Sequence, residues 1–556
     1  MKRIPRYIIC VCLALLSLKF TGYVGNGELP NFPLDGWQWA FFSCYPVFLS
    51  AVIGGLVLAV TIAVHRKIPC NLLLLVPFLP LLAGCIGLLR TTETDLSRLW
   101  MWHFAGAAAF AVAVCVCIHN DKDAVRWFVG TLGVVGLISV LKGWHQYFWG
   151  FDELRAYWEQ MQANGIAVKD VMFEKLAQRR VYGQFIDPNV YSAHLLLCLP
   201  FSVYCAYSVG RRFEFPKVGA WLLTTAVSVL YLMAIYWSGS RGAMLGLAAG
   251  SACLVLSLPR VRVWRWRWTL PVAAVVLGVA VVLIYTARAN RGGMASASAR
   301  KDYYVNAVKM YRMHPVTGIG LCEFFPWYLR LKSADAEVTR NPHSLFFALL
   351  SECGIFGGLA ALILVLLPWI ASAHAKGRWA SLACGALGGF MLHSMVQFNE
   401  LIPGVIYVAL AMVFMLFEDK AKSLPLKWNN VWRAALAVFG VACCMAMVRW
   451  RGEYVYQLAE EADKQRAGAG EALYFEAAKS LPNAPGPWRA LTTSAMQRQD
   501  FPKALEYARE LQRRTPHRSS SYSKLAQIYE RLGRTEDAAR ARELAREWYP
   551  THKEDE

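Results

Sequence analysis

Charge is scarce in this chain. Of its 556 residues only 17% are Asp, Glu, Lys or Arg, and 56% are apolar, whereas soluble domains carry about 25% charge and about 45–50% apolar residues. That shortage excludes a soluble α/β enzyme and a disordered regulator. Cysteine is plentiful, at 15 residues, but no two are spaced as CxxC and no His/Cys cluster has metal-ligand spacing. Most lie in apolar runs as small hydrophobes, so neither a disulfide scaffold nor a metal centre is expected. No small-residue cleavage site follows the first apolar run behind Lys2, Arg3 and Arg6, so this run is expected to be an uncleaved anchor.

Long apolar runs are what the chain does have. With about 20 apolar residues needed to cross a bilayer, the first candidates are Tyr7–Tyr23, Trp37–Val64, Asn71–Leu89, Leu99–Ile118, Trp127–Trp149 and Val190–Val209. Val218–Ile235, Gly242–Leu258, Thr269–Tyr285, Ser344–Ile370, Ala380–Phe398, Leu401–Phe417 and Val431–Val448 follow. The expected fold is therefore all-α: a polytopic membrane helix bundle of about thirteen spans over residues 1–450, followed by a charged helical domain over 451–556.

Loop charge orients the bundle. With the N-terminus in the cytoplasm, the inner termini and short loops hold nineteen Lys and Arg, including Lys2, Arg66, Lys122, Arg211, Arg260, Lys376 and Lys420. The outer short loops hold three: Arg90, Arg98 and Arg241. That is the positive-inside pattern. Two long loops, 150–189 and 286–343, then fall outside with the tail. The second carries nine basic residues against four acids. Lipid attraction does not explain a basic loop on the outer face; an anionic substrate does. The net charge of +20 is scattered among apolar spans, which argues against nucleic acid.

The tail repeats on itself. At a spacing of 34, Trp488 aligns with Tyr522, Leu491 with Leu525, Ala504 with Ala538, and Pro482 with Pro516 and Pro550. This period and residue pattern resemble the tetratricopeptide repeat, whose helix pairs bury their faces only against the next pair. Two readings stand side by side: a concave surface for a partner protein, or a spacer that caps the bundle.

Three segments put polar residues where apolar ones are cheaper. They are Gly183-Gln184-Phe185-Ile186-Asp187-Pro188-Asn189, Ser238-Gly239-Ser240-Arg241-Gly242, and Asn341-Pro342-His343-Ser344 running into Glu352-Cys353-Gly354-Ile355-Phe356-Gly357. Ahead of the third come Arg300 and His314-Pro315-Val316-Thr317-Gly318-Ile319-Gly320. At these residues, over roughly 183–417, the chain resembles the O-antigen ligase superfamily. The resemblance implies a membrane enzyme, without a cofactor, that moves a glycan from an undecaprenyl diphosphate carrier to a lipid, glycan or protein acceptor. It implies the bacterial cytoplasmic membrane, with the chemistry on the periplasmic side, where an odd number of spans also puts the tail.

The residues suit that chemistry. Arg241 and Arg300 are expected to hold the departing diphosphate, since a guanidinium donates two parallel hydrogen bonds to phosphate. Arg288 and Arg291 compete for the same role. His343 is the candidate general base for the acceptor proton, because imidazole titrates near neutrality; the bland alternative is an interfacial or capping His. Gln184, Asp187 and Asn189 either position sugar or acceptor, or form an Asx-type cap with Pro188 at the first helical turn. Glu352 is expected to pair with an Arg of the site. A polymerase, joining one lipid-linked block to another, is the near alternative. A polysaccharide transporter is the more distant one, since transporters gather polar groups at mid-bilayer and this chain gathers them at one face. An anchored scaffold needs far fewer spans.

Overall fold

The computed structural model describes residues 3–24, 32–42, 44–65, 67–70, 72–165, 168–213, 216–259, 294–417, 422–425, 428–466 and 468–551. The expected span Thr269–Tyr285, and with it Arg288 and Arg291, lies outside them. The described chain is an all-α bundle. Its first helices are α1 (Ile4–Lys19), α2 (Gly36–Phe41), α3 (Phe48–His65), α4 (Leu79–Gly87), α5 (Thr94–Asn120), α6 (Ala124–His145), α7 (Phe151–Ala163) and α8 (Asp170–Ala177). Next come α9 (Pro188–Arg212), α10 (Lys217–Trp237), α11 (Arg241–Ser257), α12 (Met294–Met313), α13 (Phe324–Leu331), α14 (Leu345–His374), α15 (Arg378–Ser394) and α16 (Pro403–Met412). The long α17 (Trp428–Gln465) leads into α18 (Glu471–Ser480), α19 (Pro485–Gln497), α20 (Phe501–Arg514), α21 (Ser519–Arg531) and α22 (Thr535–Trp548).

Among the described residues, seven segments are long and apolar enough to cross a bilayer: Phe48–His65, Leu72–Arg90, Thr94–Asn120, Ala124–Ala163, Pro188–Arg212, Lys217–Trp237 and Leu345–His374. Several of the expected spans are shorter as helices. The run from Trp37 to Val64 is divided, with α2 and α3 separated around Pro46. At the other end of the scale, α15 and α16 are 17 and 10 residues long and almost wholly buried, and the irregular stretch 395–402 between them is largely covered by protein. Non-helical backbone at membrane depth is tolerated only where protein covers it.

The two ends of the bundle differ. At one, β1 (Lys67–Cys70) pairs antiparallel with β2 (Lys422–Pro425), Lys67 opposite Pro425. There too Arg6 meets Asp121 at 3.1 Å. At the other end lie α7, α8, α12 and α13, so each of the two long loops expected from sequence carries two helices among its described residues. α6 runs on through a wide turn at Gln146–Gly150 into α7.

Two sequence motifs turn out to be one joint. α14 is broken at Gly354, whose φ of 66° and ψ of −154° are open to glycine alone. Backbone from the His314–Gly320 segment fills the break: Ile355 N donates to Pro315 O at 2.9 Å, and Ile319 N donates to Ser351 O at 2.9 Å. A Cβ on Gly354 would stand 2.3 Å from Val316 O, and one on Gly318 would stand 2.3 Å from Glu352 C. Gly354→Ala is therefore expected to cost about 3 kcal/mol, read as a lowered unfolding temperature of the purified protein. Gly130→Ala, where nothing lies within 4 Å of the added carbon, is the neutral control.

Beyond the bundle, α19 and α21 begin 34 residues apart, as do α20 and α22. Their helices stack through Leu491, Ala495, Ala504, Leu525 and Ala541. The last hairpin docks on the bundle. Arg518 grips the buried Glu93, with Nη2 to Oε2 at 2.7 Å. His517 Nδ1 lies 3.3 Å from Glu323 Oε2 and its ring stacks on Trp548 at 4.2 Å, while Arg330 pairs with Glu547 at 2.9 Å. Burial opposes ionisation of Glu323, but hydrogen bonds from His517, Thr92 and Glu93 hold its carboxyl below the usual range. Arg518→Ala would leave the Glu93 carboxylate buried and unpaired, a loss of about 3–5 kcal/mol. The expected readout is faster proteolytic cleavage around residues 466–470 in the folded protein; an unchanged rate would contradict a docked tail.

Candidate functional site

Three helices start together at the end of the bundle that holds α12 and α13. Each start is fixed by a side-chain cap. Asp187 Oδ1 accepts from Asn189 N at 2.7 Å and Val190 N at 3.2 Å, opening α9 with Pro188 in its first turn. Ser240 Oγ accepts from Ala243 N and opens α11 with Arg241 as its first residue. Ser344 Oγ accepts from Phe347 N and opens α14 directly after His343. The caps follow the ordinary N-terminal preference for Asp and Ser. Their joint effect is less ordinary, because each helix N-terminus carries about half a positive charge, and three such ends favour an anion.

The last turn of α15 and the irregular stretch after it tie the starts to one another. His393 Nε2 lies 3.2 Å from Ser240 Oγ, and Gly242 packs on the same imidazole. Asn399 Nδ2 approaches His393 Nδ1 at 2.9 Å. Four residues past His393, Gln397 bridges the remaining two helices: its Nε2 donates to Asp187 Oδ1 at 3.1 Å, and its Oε1 lies 3.2 Å from His343 Nδ1. Arg180 adds a further tie, donating from Nε to Ser238 O at 2.9 Å and from Nη2 to Asn189 Oδ1 at 3.2 Å.

His343 is held in an uncommon conformation. Its φ is +51°, a left-handed state that costs a residue with a Cβ about 1–2 kcal/mol. Asn341 offsets part of that cost by accepting from His343 N at 3.0 Å. The ring lies between Tyr303, at 5.9 Å and 24°, and the edge of Phe398, at 5.0 Å. Burial pushes the imidazole below its ordinary value; Gln397, Asp187 and Glu337 pull it back, and the Arg300 charge adds to the lowering. The net direction is down, which leaves the ring neutral near pH 7.

Arg300 sits on α12 one turn before Tyr303, on the face whose Tyr303, Ala307 and Met310 are buried. Its charge reaches the rings of both His343 and His393. Arg241 follows the Ser240 cap that His393 touches, His343 touches Gln397, and the Arg300 charge reaches both imidazoles, so the three residues fall at the same end of the bundle. Asp187 and Asn189 belong to the same group. Gln184 does not: its Nε2 donates to Ser139 Oγ at 2.7 Å, in a buried cluster with His194 between α6 and α9. Glu352 turns toward α13, where its Oε1 accepts from Phe324 N at 3.3 Å. Gln397, His393 and Arg180 were not singled out as site residues by sequence reasoning. A lone Gln in an apolar stretch carries no spacing signal, and Arg180 reads as one more basic loop residue.

These features define a polytopic helical membrane protein in which three capped helix starts, His343 and His393 meet at one end of the bundle. Residues 226–362 match the family model described as O-antigen ligase, which bears out the O-antigen ligase superfamily resemblance. That match spans about a quarter of the chain and supports a membrane enzyme of the O-antigen ligase or polymerase kind. No curated protein matches it. The matched segment contains Arg241, Arg300 and His343, while Gln184–Asn189, Gln397 and the tail lie outside it.

Proposed function

We propose that the protein transfers a glycan from an undecaprenyl diphosphate carrier to an acceptor hydroxyl or amine at the outer face of the cytoplasmic membrane. The observation that supports this is that three capped helix starts, one of them opening on Arg241, meet at one end of the bundle beside a neutral His343 that feels the Arg300 charge. A diphosphate suits the cations and helix ends, and the charge that develops on it as it leaves is what fixed donors stabilise best. The acceptor O–H attacks the anomeric carbon and the new C–O bond forms as the sugar–diphosphate bond breaks. The proton passes to His343 Nε2, and the carrier diphosphate departs with the bonding electron pair.

Loop charge supports a periplasmic site, because the positive-inside pattern of the sequence assigns its nineteen inner basic residues to the cytoplasmic face. The tail, read as a tetratricopeptide-like domain at 451–556, docks through Arg518 on Glu93 and through His517 on Glu323, at the end of the bundle that holds α13. That neighbourhood favours ligation to a separate acceptor over polymerisation. The test is to supply purified protein with a lipid diphosphate-linked oligosaccharide and candidate acceptors, then measure product length. One added block per acceptor supports ligation; ladders of blocks on the carrier itself support a polymerase.

A further inference from the structure

We infer that Gln397 is a positioning residue that fixes the tautomer of His343, an assignment that rests on the general-base reading above. The argument is one of donors and acceptors. Asp187 Oδ1 already receives two backbone N–H groups, so the Gln397 atom facing it must be the NH2 end. The carbonyl end then faces His343 Nδ1, and a carbonyl only accepts. The ring proton therefore sits on Nδ1, and the Nε2 lone pair is left to receive a proton. Gln397 is 1% exposed and lies 210 residues from Asp187 in sequence, so water does not readily substitute for it. The charged and titratable groups that act on the ring come from other elements: Arg300 on α12, Asp187 at the start of α9, and Glu337 from the connection between α13 and α14.

The direct test is nitrogen NMR of the full-length protein in lipid, labelled with 15N-histidine, with the His343 signals assigned by difference against His343→Ala. Wild type is expected to show the Nδ1–H tautomer. Gln397→Met, which keeps the volume and removes both hydrogen-bonding atoms, is expected to lose it. The turnover number should fall about ten- to a hundredfold with the donor KM unchanged, and the acid limb of the pH profile should move down. An Nε2–H ring in wild type, an unchanged tautomer in Gln397→Met, or a changed tautomer with full turnover each overturns the assignment. Full activity in His343→Ala overturns instead the general-base reading beneath it.

A second, independent observation concerns the seam where the tail joins the bundle. A cavity of about 380 Å³ opens there between α5, α17 and the end of α18. Its level is that of the membrane boundary: Trp102 stands two turns into α5, and the apolar run of α17 gives way to charge at Arg449. Arg449 is satisfied by Asp95, at 2.8 Å, and by Glu453, at 2.7 Å. That leaves Arg98 and Lys479, both exposed, as the cations on the rim, while the exposed Met445 and Val448 continue the wall along α17. The geometry points to an anionic phospholipid, with its phosphate on the rim and its chains along α17. Native mass spectrometry of the protein extracted from phosphatidylglycerol vesicles is expected to show one retained lipid, weakened about fivefold for each cation removed in Arg98→Ala and Lys479→Ala. Equal retention of phosphatidylethanolamine, equal competition by inorganic phosphate, or unaltered retention in the double variant would overturn it.

Discussion

His343→Ala is expected to lower glycan transfer by about a hundred- to ten-thousandfold, the range a positioned general base supplies, while the protein still folds and inserts. The ring is half-buried between Tyr303 and Phe398, and its loss leaves a gap at the end of the bundle rather than in its packed centre. Wild-type activity should be flat above about pH 6.5 and fall below it. The sign follows from the direction of the shift: burial lowers the imidazole's proton affinity, so the base stays neutral until the medium is more acidic than its ordinary value. Transfer that peaked in acid would contradict this role.

The second large effect concerns the guanidinium groups. Arg241→Ala and Arg300→Ala are each expected to lower the rate by about a hundred- to a thousandfold, the loss seen when one fixed donor to a developing oxyanion is removed. Lysine should restore little of it, because an ammonium lacks the planar fork that meets two phosphate oxygens at once. The two substitutions together should cost less than the product of the single losses, since both groups act on one leaving group. The kinetics of the single and double variants check this; simple additivity would place the two residues on different parts of the substrate.

The fold class was legible because its signal is compositional. Apolar runs of spanning length leave few alternatives, and the cap at Asp187 is local chemistry that spacing reveals. The helical content of the two long loops was less legible. α12 has buried residues at Tyr303, Ala307 and Met310, a helical face hidden within a basic, polar segment. Motif residues were easier to find than to interpret. The glycines of the segments 314–320 and 352–357 mark a broken helix filled by another backbone, and that requirement exists only once the two chains meet. Gln397 was invisible for the same reason: its meaning comes from lying between Asp187 and His343, both remote in sequence. Glu352 illustrates the converse, a conspicuous intramembrane acid whose carboxylate faces the start of α13.

The most direct test of the central claim is to count leaving groups against products. Purified protein in lipid, given an undecaprenyl diphosphate-linked oligosaccharide and an acceptor, should release one carrier diphosphate for each new glycosidic bond. Release and bond formation should fall together in Arg241→Ala, Arg300→Ala and His343→Ala. Bond formation without diphosphate release, or undiminished turnover in a variant lacking all three side chains, would contradict the account.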